Sequence, residues 1–274
     1  MALDLLPVEN EFTKADEQIL EFISSHPDEF LFMNIGQLAR HLGLSDATVS
    51  RFARHVGCRD FKELKTKVME EQNHRATPAA KVARTLLKDE DFGLGSWLEY
   101  QQQCLQRTRE HLDEDIFNKA ADSILQAKRI FIHAKSASAA LGQLLLFRLR
   151  RLGLNVTLLP SGGSEIWEGL ALAGPEDLMI MFSFSKVSRE GQKILAYGRD
   201  AGYKTLAFTS RLYVPANQRA DVNLYVYRGE ENEFHSMAAP AAVVDALTVA
   251  LTQRMGTDSA QRLARLHELK KQYE

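Results

Sequence analysis

The chain has 274 residues, enough for two domains, and its 45% hydrophobic and 26% charged content is that of an ordinary soluble protein. A net charge of −2 gives no overall attraction to nucleic acid, and Cys58 and Cys104 stand far apart with no metal-ligand pattern, which predicts reduced thiols and no disulfide framework. The opening MALDLLPVENEF is too acidic for a signal peptide, and the longest apolar run, Met237–Leu251, holds Pro240 and Asp245 and is too short to span a bilayer, so a cytoplasmic protein without membrane contact is expected.

Thr13–Ser25 reads as a first helix, with Ile19, Leu20, Phe22 and Ile23 on one face and Thr13 as its cap, three residues before Asp16. His26-Pro27 stops it. Phe30, Leu31 and Phe32 then lie between helices and are expected to close the core.

Residues 34–42 and 45–56 read as two short helices joined by a tight turn. Leu38, Leu42, Leu44, Val49 and Phe52 supply the buried face, and Ala39 is small where the helices touch. Gly43 sits at the sharp turn, where a positive φ is easiest for glycine. Ser45 can cap the second helix. That leaves Ser45, Asp46, Thr48, Ser50, Arg51, Arg54 and His55 as candidate DNA-binding residues, on a helix able to enter a major groove. From Arg40 to Lys67 seven Lys and Arg face three Asp and Glu, so positive charge gathers on and after this helix. A further helix over Phe61–Glu71, packing Phe61, Leu64 and Val68, completes a helical domain over 1–75.

Residues 72–96 carry Pro78, Gly93, Gly95 and a charge cluster at Lys88–Asp91, and read as a linker with a helix at Ala79–Leu87. With a helix at Trp97–Arg109 this gives a connecting segment over 76–110. A helix at Asp115–Gln126 leads into the second domain, 111–256.

From Arg129 short apolar runs alternate with helical segments. Strands are expected at Arg129–Ala134, Asn155–Leu159, Leu178–Ser183, Thr205–Thr209 and Val222–Tyr227. Helices are expected at Ala139–Leu152, Glu165–Leu172, Ser188–Ala201, Val214–Arg219 and Met237–Met255, with a terminal helix, Asp258–Lys270, inside 257–274. The pattern is that of an α/β domain, a parallel sheet covered on both faces. Ligands in such sheets bind beyond the carboxyl ends of the strands, where helix N-termini offer free N–H groups. Here those ends are rich in hydroxyls, and the candidate ligand-binding residues are Lys135, Ser136, Ser138, Ser183, Ser185, Lys186, Ser188 and Thr209. Ser188 by itself also reads as a helix cap.

This second domain resembles the sugar isomerase (SIS) domain, a five-stranded parallel sheet with helices on both sides that binds phosphosugars. The family's Gly-x-Gly-x-Ser turn stands here as Ala134-Lys135-Ser136-Ala137-Ser138, without either glycine. Arg151-Leu152-Gly153 is similar to the family's Arg-Ile-Gly. Its Ser-x-Ser-Gly-x-Thr stands as Ser183-Phe184-Ser185-Lys186-Val187-Ser188. Thr209-Ser210 and Asp245 match two further elements. A helix–turn–helix domain, a linker and an SIS domain in that order resemble the RpiR family of bacterial transcription regulators. The resemblance implies a regulator that binds double-stranded operator DNA and senses a phosphosugar as a homodimer or homotetramer, with no cofactor, no metal and no catalytic residue. The mechanism expected is association through helices such as Met237–Met255, whose apolar surface exceeds what one sheet face needs, with ligand binding coupled to the DNA-binding domain through 72–110.

Two other readings stay open: a sugar-phosphate isomerase, and a regulator whose SIS domain serves only for dimerisation. An isomerase needs a poised carboxylate and help with ring opening. Glu165, Glu168, Glu233, His133 and His235 are the available groups, and none forms an evident catalytic pair in sequence. A third, a helical scaffold binding only protein partners, predicts no salt-dependent DNA affinity at all.

Overall fold

The computed structural model describes residues 12–71, 77–88 and 92–273; the acidic opening and the parts of the connecting segment at 72–76 and 89–91 lie outside the described residues. The chain divides into two compact units, Met1–Ser96 with Glu230–His235, and Trp97–Gly229 with Ser236–Glu274.

The described residues of the first unit form α1 (Lys14–Ser25), α2 (Pro27–Phe32), α3 (Ile35–Leu42), α4 (Asp46–His55), α5 (Phe61–Glu71) and α6 (Pro78–Lys88). Thr13 and Asp16 make a reciprocal capping box at α1, and Asn34 and Gln37 make another at α3. Gly43 ends α3 at φ 69°, in the left-handed region, and Ser45 Oγ accepts from the Thr48 N–H to start α4. The core gathers Ile19, Ile23, Phe30, Leu31, Leu38, Val49, Phe52, Leu64 and Val68.

Two details differ from the sequence expectation. His26-Pro27 ends α1 but also begins α2, because proline lacks only an N–H that the first turn leaves unpaired and its fixed φ suits that position. Phe30 and Leu31 are buried as expected, whereas Phe32 points outward. The helix within the presumed linker, α6, is part of the bundle core through Ala83. Glu230–His235 joins this unit as well: Lys81 Nζ donates to the Glu231 carbonyl at 2.8 Å, and the Phe234 N–H donates to Thr85 Oγ1 at 2.9 Å.

The second unit holds most of α7 (Leu94–His111), then α8 (Glu114–Gln126), β1 (Arg129–His133), α9 (Ala139–Arg151), β2 (Val156–Leu158), α10 (Glu165–Leu170), β3 (Asp177–Phe182), α11 (Arg189–Ala201), β4 (Lys204–Thr209), β5 (Val222–Tyr225), α12 (Ala238–Met255) and α13 (Thr257–Tyr273). The strands form one parallel sheet in the order β2-β1-β3-β4-β5. Because β1 pairs with both β2 and β3, the crossover direction reverses there, and the loops after β1 and β3 flank the resulting crevice. One face buries Ile130, Ile132, Leu178, Ile180 and Leu206 under Ile124, Leu145 and Leu247 from α8, α9 and α12. The other buries Phe131, Met179 and Met181 under Ile166 and Ile194 from α10 and α11.

The expected helix at 214–219 is only a 3-10 turn, Ala216–Gln218, since Pro215 begins it and Arg219 folds back onto the Val214 carbonyl. Strand β5 stops at Tyr225 because the Tyr227 N–H goes to Thr108 Oγ1 and not to a ladder. At the carboxyl end of α9, Arg262 of α13 donates to the Leu152 and Gly153 carbonyls, groups that a helix end leaves without partners.

At the opposite edge of β1 and β3, Asp177 accepts from Arg129 Nε at 3.0 Å and from the Gly174 N–H at 2.8 Å. Burial alone would raise its pKa, but the Arg129 and Gly174 hydrogen bonds outweigh burial and hold the carboxyl below its ordinary value. A depressed native pKa contributes stability above the unfolded carboxylate range, and this is lost as pH falls through the native value. Urea midpoints should therefore fall less steeply with acidification in Asp177→Asn than in the parent. Parallel acid limbs would show that this carboxylate does not titrate with folding.

Candidate functional site

Helix α4 is anchored by one face. Val49, Phe52 and Ala53 are buried, while Ser45, Asp46, Arg51 and Arg54 are exposed and Thr48 and Ser50 are half-buried. The outward arginines lie along the helix: Arg51 Nη2 donates to Thr48 Oγ1 at 3.3 Å, and Arg54 Nη2 donates to Ser50 Oγ at 3.3 Å. Ser45 is committed as the cap, with its hydroxyl also 2.9 Å from Thr48 Oγ1. His55 turns the other way. Its Nδ1 is 3.1 Å from Asp16 Oδ2, which ties α4 to α1. Burial pushes the Asp16 pKa up, but hydrogen bonds from Thr13 and His55 prevail and lower it.

The basic stretch is not all a basic face. Lys65 Nζ donates to the Met33 carbonyl, and burial lowers its pKa. Lys67 Nζ donates to the Gly57 carbonyl, and Arg59 pairs with Glu63 at 3.0 Å. Arg40, Arg51 and Arg54 remain exposed.

In the second unit the candidate residues sit after β1, β3 and β4. Lys135 Nζ is 3.2 Å from Glu190 Oε2 in the first turn of α11. The Glu190 carboxyl is held below its ordinary value by its own backbone N–H and then by Lys135. Ser136 adopts φ 55°, the only non-glycine in the left-handed region among the described residues, at the position where the SIS turn carries glycine. This is a conformation that glycine adopts freely and serine does not. Ser138 begins α9 without capping it. The hydroxyls of Ser136, Ser138 and Ser183 make no hydrogen bond within the described residues, and the Lys186 ammonium has no partner there and is exposed.

Other hydroxyls are committed. Ser188 Oγ accepts from the Gly191 N–H at 3.0 Å and caps α11. Thr209 Oγ1 donates to the Phe184 carbonyl at 3.4 Å and accepts from the Arg211 N–H at 3.1 Å. Ser185 is committed on one side only: its Oγ accepts from Arg228 Nη2 at 3.4 Å, and its proton has no acceptor among the described residues. Asp245 pairs with Arg148 of α9 at 2.9 Å and with no strand-end residue.

Ser210, which belongs to a matched family element, and Arg228 and His133, which belong to none, complete this region. Ser210 donates to the Val226 carbonyl. Arg228 is buried beside it, and its only sequence signal is a charge directly after an apolar strand. His133, one of the groups available to an isomerase, is buried with neither ring nitrogen in a well-formed hydrogen bond. Burial pushes its imidazole pKa down, against weaker upward pulls from Glu190 and the Pro160 backbone.

Residues 4–75 match the profile of the helix-turn-helix domain of the rpiR family, and residues 123–250 match the SIS domain. An uncharacterised HTH-type transcriptional regulator of Caldanaerobacter subterraneus subsp. tengcongensis is 24% identical over 94% of this chain and 92% of its own length. The sugar isomerase domain of an RpiR transcription factor from Sphaerobacter thermophilus superposes with a TM-score of 0.58 at 25% identity, covering 62% of this chain and 96% of that one. Vibrio vulnificus NanR, solved in complex with ManNAc-6P, superposes with a TM-score of 0.55 at 20% identity, covering 94% of this chain and 93% of that one. No described helix is long and apolar enough to cross a membrane.

Proposed function

Because the chain belongs to the rpiR family, with an rpiR-type helix-turn-helix domain joined to an SIS domain, we propose that it is a transcription regulator that binds duplex operator DNA through α4 and senses a phosphosugar at the strand ends. The observation that carries this reading is the division of α4, with Val49, Phe52 and Ala53 inward and Arg51 and Arg54 outward. A helix so anchored offers Thr48, Ser50, Arg51 and Arg54 to base edges and phosphates. Ser45 and His55 act by fixing the helix. The description of its relatives as transcriptional regulators supports the same reading.

The effector class is a sugar phosphate. Ser136, Ser138 and Ser183 have hydroxyls to spare, and α11 directs its N-terminus to the same loops. The NanR complex with ManNAc-6P supports a phosphosugar as the class of ligand. The protein acts by binding, without turnover, since sensing needs only different affinities in two conformations. The exposed positions of Glu165 and Glu168 on α10 speak against a general base there. Two copies associate through α12, where the apolar Val249 is 68% exposed. Such a dimer presents two recognition helices about one DNA turn apart.

The test uses the full chain. A duplex selected from a random pool should be bound with strong salt dependence, and one or more sugar phosphates should shift both the melting temperature and the DNA affinity. Ser183→Ala combined with Ser185→Ala should abolish the thermal shift and leave ligand-free DNA affinity unchanged. DNA affinity that ignores salt, or a double variant that still responds, would overturn the corresponding half. Interconversion of aldose and ketose phosphates by the purified protein would overturn the non-catalytic part.

A further inference from the structure

Arg228 follows β5 and is 6% exposed, the one buried Lys or Arg among the described residues. Its guanidinium lies 3.9 Å from the centre of the Phe184 ring. Its Nε donates to Ser210 Oγ at 3.3 Å and its Nη2 to Ser185 Oγ at 3.4 Å. No carboxylate among the described residues pairs with it, and Nη1 makes no hydrogen bond there. Three other arginines in this unit meet carboxylates: Arg129 meets Asp177, Arg148 meets Asp245 and Arg254 meets Asp122. A buried cation without a counter-charge is costly, and a guanidinium does not escape the cost by losing its proton at neutral pH. Burial lowers its pKa only to about 10.

The two serines it touches are oriented differently. Ser210 spends its proton on the Val226 carbonyl at 2.7 Å, so its oxygen is left to accept from Arg228. Ser185 also accepts from Arg228, but its own proton has no acceptor among the described residues. Ser185 is exposed, in the loop between β3 and α11 that also carries Ser183. A hydroxyl that accepts from a cation behind it is set to donate to an anion in front of it.

We propose that Arg228 is the charged positioning residue of the anion crevice, turning Ser185 into a hydrogen-bond donor and supplying the positive charge that a ligand phosphate neutralises. The proposal rests on the phosphosugar reading above and assigns that site a cation outside the serine motifs. It also explains how the site holds an anion although the glycines of both SIS turns are gone and Lys135 is already paired with Glu190. A purely structural Arg228 would only clamp Phe184 and the loops after β3 and β4.

The test titrates the full-length protein with inorganic phosphate and with a set of sugar phosphates, read by calorimetry. Arg228→Gln, which keeps a hydrogen-bonding side chain without the charge, should weaken binding on the order of tenfold to a hundredfold, as loss of a charge-assisted bond does. Arg228→Lys should recover most of that loss. If the parent binds these probes, and Ser183→Ala with Ser185→Ala abolishes the binding while Arg228→Gln keeps parental affinity, the phosphosugar reading stands and the role of Arg228 is overturned. A parent that binds none of them overturns both. Should Arg228→Gln not fold, the parent labelled with 15N-arginine decides. Its Arg228 Nε–H resonance, identified by its absence in Arg228→Lys, should move as phosphate saturates the site, and a stationary resonance would overturn the assignment.

Discussion

Arg51→Ala should weaken binding to a selected operator duplex by about 1–3 kcal/mol, roughly tenfold to a hundredfold, if its guanidinium reaches a base edge. The side chain is exposed on α4, and its one hydrogen bond, to Thr48, is on its own helix. Its removal therefore leaves no buried group unpaired, and alanine is a good helix former, so the fold should be unaffected. Melting temperature serves as the control and fluorescence anisotropy at fixed ionic strength as the readout. Salt dependence adds a second measure. A phosphate contact lowers the salt slope by about one when it is removed, whereas a base contact relaxes sequence preference. Parental affinity in Arg51→Ala would take this residue off the DNA surface and move the recognition face elsewhere.

The neighbouring residue should behave in the opposite way. Phe52 is 1% exposed and among the largest fully buried side chains. Truncation to alanine removes the ring from a close-packed site and should cost about 3–5 kcal/mol. Small domains have little stability in reserve, typically about 5–15 kcal/mol. Calorimetry of Phe52→Ala should therefore show an early transition for the helical unit and a later one close to parental for the α/β unit. DNA binding should be lost at temperatures between the two, while sugar phosphates still stabilise the second transition. A thermogram indistinguishable from the parent's would mean that Phe52 packs loosely and that the bundle core lies elsewhere.

How much the residues announced depends on what each signal measures. The five strands are apolar runs bounded by polar turns, and all five lie within two residues of their expected ends. The helix-turn-helix pair was equally legible, since Ala39, Gly43, Ser45 and Val49 answer to local rules of contact, turn and cap. Pro27 misled because a proline ends one helix and begins another with the same geometry. The role of α6 was hidden because one small residue, Ala83, carries its buried contact.

The candidate crevice was legible in outline only. Serine is both a cap and a ligand-binding residue, and sequence cannot say which. Ser188 turned out to be a cap, and Ser138 did not. Arg228 stood outside every motif, because its meaning lies in partners from two other loops, Ser185 and Ser210, distant along the chain. His55 read as an outward polar residue, but its position at the last turn of α4 points it to Asp16 on a different helix.

Serine in the left-handed region raises the energy of the turn after β1 by roughly 1–2 kcal/mol relative to an unstrained residue. That turn therefore lies nearer to its open alternatives than the strand before it or the helix after it. A ligand that grips the Ser136–Ser138 backbone would draw on this pre-existing softness, ordering a few residues without disturbing the close-packed layers beneath. The mouth of the crevice can thus respond to occupancy while its floor stays fixed.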